Sequence, residues 1–147
     1  MRCIASFLVG CALAISAMAR PDKDEISYNV QLIRATDAAE PLPGSRPAGS
    51  RLVQLLHGPL KWKHYWSICE RKVSMKRGRA KRVPLLNARE VEIDLTVQNQ
   101  RTVTAFQNGK IMSRSAVPVG EGFSLLGGER DQDSGWFILV RSETAGD

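Results

Sequence analysis

Hydrophobic and polar residues alternate strictly over residues 90–97. Val91, Ile93, Leu95 and Val97 fall on one side, and Glu90, Glu92, Asp94 and Thr96 on the other. A repeat of two marks a strand with one face in a core and one in water. Strand-like runs also occupy residues 26–35, 61–75, 80–86, 101–107, 110–117, 123–126 and 136–141. The last contains Trp136-Phe137-Ile138-Leu139-Val140, apolar without alternation, which predicts the centre of a sheet covered on both faces.

Turn residues separate these runs. Asn108-Gly109 predicts a type I′ turn, which needs positive φ at both central residues, and so a hairpin over 101–117. Lys76-Arg77-Gly78-Arg79 is expected to close a second hairpin between 69–75 and 80–86, with Gly78 left-handed. Residues 36–49, with Pro41, Pro43, Gly44, Pro47 and Gly49, read as a loop that no regular element crosses. Ser50 then caps a helix whose Leu52, Val53, Leu55 and Leu56 form one stripe, and Gly58-Pro59 ends it after about two turns. Gly127-Gly128 and residues 131–135 supply the last connection. About eight short strands and one short helix predict a mainly β fold, an antiparallel β-sandwich or small barrel.

Composition sets the frame for that fold. The chain has 147 residues, 43% hydrophobic, with 12 Gly, 7 Pro and 3 Cys. This fills one core and excludes collagen-like, disulfide-dense and wholly disordered classes. Residues 1–19 read as a signal peptide: Met1-Arg2, an apolar run over 4–15, then the small-x-small Ala17-Met18-Ala19. A single domain over 20–147 remains, and the apolar run is shorter than the roughly 20 residues that span a bilayer. Leu8-Val9-Gly10-Cys11 resembles a lipobox, so lipid anchoring at Cys11 is the alternative to simple cleavage. The expected location is exported, periplasmic or secreted, with no transmembrane segment in the mature chain. Cys3 and Cys11 leave with the leader, so Cys69 stands alone without an internal disulfide and reads as a buried structural thiol.

Charge is uneven. Lys and Arg number 21 against 15 Asp and Glu, yet residues 46–89 hold twelve basic groups against one acidic, Glu70. Residues 20–45 carry a charge of −2 and residues 90–147 carry −4, so one positive region lies between acidic flanks.

Three constellations are candidates for function. Arg71, Lys72, Lys76, Arg77, Arg79, Lys81 and Arg82 crowd one expected hairpin. The expected partner is a protein or an anionic envelope component, polysaccharide or lipid, that these cations would attract, nucleic acid being a less suitable partner for an exported chain. The plainer account is a strand edge guarded by charge. In Lys61-Trp62-Lys63-His64-Tyr65-Trp66 aromatics interleave with cations. If Tyr65, Cys69, Val73 and Met75 point inward, then Trp62, His64 and Trp66 point outward and could stack on a sugar. A bulge near Ile68 would instead bury both indoles and leave Tyr65 outside. Glu129, Asp131, Asp133 and Gly135 look like a calcium loop lacking its third acidic ligand, and read more simply as a polar turn.

Catalytic motifs are missing: no G-x-S-x-G elbow, H-E-x-x-H, Walker loop, paired metal-ligand cysteines or dinucleotide fingerprint. A hydrolase built on Glu90, Glu92 and Asp94 is the remaining enzymatic possibility, and the solvated face of a strand is its simpler explanation. No cofactor and no metal are expected.

Tyr28 to Asp37, Trp62 to Trp66, Arg89 to Leu95, Asn108-Gly109-Lys110 and Trp136 to Arg141 carry a resemblance to uncharacterised exported bacterial all-β domain proteins. It spans most of the mature chain, implies an exported all-β domain and brings no activity, ligand or site residue. The expectation is therefore a non-enzymatic domain that binds or assembles in the cell envelope through its basic hairpin. A carbohydrate-binding module using Trp62, His64 and Trp66 is the alternative.

Overall fold

A computed structural model describes residues 23–131 and 133–143. The expected leader, with Cys3 and Cys11, lies outside the described residues. Among the described residues the chain is mainly β, with nine strands in two antiparallel sheets and one short helix. The strands are β1 (Glu25–Thr36), β2 (Arg46–Pro47), β3 (His64–Lys76), β4 (Ala80–Pro84), β5 (Arg89–Asp94), β6 (Gln100–Gln107), β7 (Lys110–Pro118), β8 (Phe123–Arg130) and β9 (Ser134–Ser142). The helix α1 is Ser50–His57, between β2 and β3. One sheet runs β2-β3-β1-β9-β8 and the other runs β4-β5-β6-β7. The two form a sandwich with no closed barrel. Among the described residues, no helix is long and apolar enough to cross a membrane.

Alternation explains the core. In β1, Ile26, Tyr28, Val30 and Leu32 face the second sheet and meet Val91, Ile93, Leu95 and Val103. Glu90, Glu92 and Asp94 stay half-buried on the other side of β5. At the far end of β1, Ile33 and Ala35 turn away from that core and pack with Leu56, Tyr65 and Leu139 beneath α1. β1 and β9 are thus covered on both faces, as the unbroken apolar run of β9 predicts.

The 108–109 turn is as expected: φ is 50° at Asn108 and 76° at Gly109, and Gln107 pairs with Lys110. Other expectations are corrected. Residues 36–49 are not wholly irregular, since Arg46–Pro47 forms a two-residue edge strand against Ser67 and Trp66. Pro47 is tolerated because an edge strand needs donors on one side only. Ser50 is the first residue of the helix rather than its cap; extended Gly49 precedes it and no side-chain capping bond forms.

Residues 76–79 do not close a hairpin. β3 pairs with β1, whereas β4 pairs with β5 in the other sheet, so the chain crosses between sheets there. Val73 and Met75 of β3 and Val83 of β4 are all buried in the inter-sheet core, which they reach from opposite sides. Gly78 is left-handed with φ of 76°, and its N–H donates to the Leu95 carbonyl at 2.9 Å.

Candidate functional site

The basic residues line the sandwich edge formed by β3, the crossing and β4. β2 covers β3 only at Ser67 and Trp66, and β4 has β5 on one side alone, so both strands present open backbone there. Their cations differ in what holds them. Lys72 pairs with Glu143 at 3.2 Å. Arg82 reaches Glu92 at 3.4 Å and Glu90 at 3.9 Å and lies over the Phe106 ring at 3.9 Å, so it belongs to the outer face of the second sheet. Lys76 is also engaged by a neighbour. Lys81 Nζ donates across the edge to the Ser74 carbonyl at 3.4 Å, and Arg71 Nη1 to the Glu70 carbonyl at 3.0 Å. Arg77 and Arg79 are exposed at the crossing, and neither pairs with a carboxylate among the described residues.

The aromatic segment departs from both parities expected of it. A bulge does fall at Ile68, because Leu32 pairs with Cys69 while Ile33 pairs with Ser67. It puts Tyr65 on the helix side of the sheet and Cys69, Val73 and Met75 on the inter-sheet side, all four buried. Trp62 packs with the cluster beneath α1, under the Arg130 guanidinium 5.8 Å from its ring. Trp66 pairs with Arg34 on the opposite face and stacks with His64 at 6.4 Å between ring centres. Both indoles are half-buried and they share no face, so they form no common stacking platform. Tyr65 pins the approach to β3: its hydroxyl donates to the Leu60 carbonyl and accepts from the Trp62 N–H, both at 3.3 Å. Burial pushes that hydroxyl above its ordinary pKa, against the effect of the Trp62 bond, and the nearby Asp37 charge adds to it.

The carboxylates of β5 form a ladder rather than a pair in a cleft. Glu90 and Glu92 face Arg82, and the Thr96 hydroxyl and N–H hold the Asp94 carboxyl below the usual carboxylate range, at 2.6 and 2.8 Å. The expected 129–135 turn is strand at both ends, and between β8 and β9 the Asp131 N–H donates to the Ser134 carbonyl, while the Asp133 carbonyl accepts from the Thr36 hydroxyl at 2.9 Å. Gln132 and the side chain of Glu129 lie outside the described residues. No group of three or more metal-ligating side chains forms among the described ones. Cys69 is free and buried.

Two buried polar residues escape a motif search. Arg101 is fully buried between the sheets, and Asn29, 6% exposed, lines a groove on the helix side. Their signal in the sequence is slight: Asn29 is a polar residue between Tyr28 and Val30, and Arg101 shares the strand parity of the apolar Val103 and Ala105. The class of protein so defined is a two-sheet antiparallel sandwich with a basic edge. Compared with protein-family models, curated proteins and solved structures, the chain matches none.

Proposed function

We propose that this protein is a non-enzymatic binding or assembly module of the cell envelope that takes an anionic polymer or lipid surface along its basic edge. The observation that carries the reading is the placement of Arg77 and Arg79, exposed where the chain crosses between sheets and without a carboxylate partner among the described residues. Lys81 and Arg71 flank them on strands whose outer backbone groups are open. Cations already matched by carboxylates give up one partner to gain another; unmatched ones do not, so Arg77 and Arg79 contribute most to anion attraction. The export that brings the domain to such a partner belongs to the same proposal and rests on the leader-like residues 1–19.

Retention on immobilised heparin tests the edge. The Arg77→Glu plus Arg79→Glu variant is expected to elute at clearly lower salt than the parent protein. Lys61→Glu plus Lys63→Glu, two exposed cations elsewhere, changes net charge equally and is expected to shift elution much less. Unchanged retention of the first variant, or equal shifts for both, overturns the proposal.

A further inference from the structure

α1 packs on the outer face of the five-stranded sheet over Ile33, Ala35 and Leu139. Beside it lies a groove of about 580 Å³, within the range of small-ligand sites. Leu52 and Leu55 of the helix, with Phe123 and Leu139 of the sheet, make its apolar side. The floor is polar and ordered by strand register: Lys72, Asn29 and Arg141 stand side by side across β3, β1 and β9, and Glu70 lies two residues from Lys72 on the same face of β3. Asn29 Nδ2 donates to Glu70 Oε1, which fixes the orientation of the amide. Asn29 Oδ1 is buried and accepts no hydrogen bond from the described residues. Buried carbonyl oxygens are almost always satisfied in folded proteins, so a bare one on a residue that lines a groove marks a place for a donor.

The geometry points to a small zwitterionic ligand, an amino acid or short peptide with an aliphatic side chain, bound in this groove. Its ammonium or amide N–H donates to Asn29 Oδ1 beside the Glu70 carboxylate. Its own carboxylate is held by Arg141, with Arg51 of the helix facing the same space. The aliphatic side chain lies against Leu52, Leu55 and Phe123. A plain anion such as phosphate suits the cations alone, because it offers nothing to the bare carbonyl and is repelled by Glu70. A sugar ring meets leucine side chains where an aromatic platform would serve it better. The site lies on a different face from Arg77 and Arg79, so each proposal survives the failure of the other.

Calorimetric titration of the protein with the dipeptide alanyl-leucine tests this. Saturable binding is expected, weakened about tenfold or more by N-acetylation and likewise by C-terminal amidation. Arg141→Gln is expected to bind the free dipeptide no better than the parent binds the amide. Asn29→Leu removes binding while leaving the urea midpoint unchanged or raised, because the unpaired oxygen goes with it. Arg51→Gln and Arg141→Gln alter exposed positions and keep the test valid should the Asn29 variant not fold. No saturable binding, equal affinity for the blocked and free dipeptides, or tighter binding of N-acetylglucosamine or inorganic phosphate overturns the proposal.

Discussion

Arg101 and Ser124 meet between the two sheets, where Nε and Nη2 of the guanidinium both donate to the Ser124 hydroxyl oxygen, at 3.2 and 3.0 Å. Arg101 Nη1 donates to the Glu121 carbonyl at 3.1 Å, and the Tyr28 ring lies 5.4 Å away. The guanidinium is fully buried and no carboxylate among the described residues pairs with it. Among the described residues its charge therefore depends on one hydroxyl, one carbonyl and the Tyr28 ring. Ser124→Ala strands two donors of a buried charge and is expected to cost about 2–3 kcal/mol. Arg101→Met removes the charge and its desolvation penalty together, and is expected to cost less than Ser124→Ala. Urea unfolding of the two variants checks the order; the reverse order would show that Arg101 contributes net stability through other contacts.

Asn87 and Ala88 join β4 to β5 with φ of 56° and 55°. Two successive positive values call for the same chemistry as Asn108-Gly109, yet an alanine occupies the second position. Its Cβ makes left-handed backbone cost about 1–2 kcal/mol. Ala88→Gly is expected to raise stability by about 0.5–1 kcal/mol, the gain being reduced by the greater freedom of glycine in the unfolded chain. Thermal unfolding measures the sign, and a lower midpoint for the variant contradicts the strain.

Much of the fold is legible in the sequence because local patterns determine it: strict alternation in β5, Asn108-Gly109 between β6 and β7, and the unbroken apolar run of β9. Less legible are features set by pairing at a distance. A bulge near Ile68 is one reading of the sequence, but what it does depends on how β3 matches Leu32 and Ile33, some 35 residues away in the chain: it leaves Tyr65 buried, not outside. Gly78 reverses the chain equally well in a hairpin or in a crossing between sheets, so its left-handed backbone was readable and the sheet reached by β4 was not. The basic cluster was readable as charge, while its division into paired and unpaired cations depends on Glu90, Glu92 and Glu143, which other strands bring near. Asn29 is inconspicuous until β3 and β9 set Lys72 and Arg141 beside it.

Asp94 links the acidic strand to pH. The Thr96 hydroxyl, then the Thr96 N–H, lower its pKa in the folded protein, with the Arg114 charge helping and partial burial opposing. A carboxyl whose folded pKa lies below its unfolded value adds stability above the unfolded pKa, about 3.9, and loses it as pH falls through the folded one. Thr96→Val removes the hydroxyl bond alone. The stability difference between parent and variant is expected to be present at neutral pH and to shrink on acidification below the ordinary carboxylate range. Urea titrations at neutral and acidic pH check this, and a difference constant with pH excludes Asp94 as its source.

Gly135 is the second residue of β9, where the aromatic segment meets the sheet. A Cβ there would stand 2.9 and 3.1 Å from the Phe137 ring edge and 3.5 Å from Trp62 Cζ2. Its backbone is not left-handed, so close approach rather than torsion excludes a side chain. Phe137 and Trp62 both pack against the cluster beneath α1, and the Phe137 ring has to move within it to admit a methyl group. Gly135→Ala is expected to cost about 1–3 kcal/mol, the usual range for overpacking a well-filled site. Because the displaced ring adjoins Trp62, tryptophan emission of the folded variant is expected to shift as well. A variant with parental stability and emission would mean that Phe137 yields freely, and that Trp62 is held by α1 and Arg130 instead.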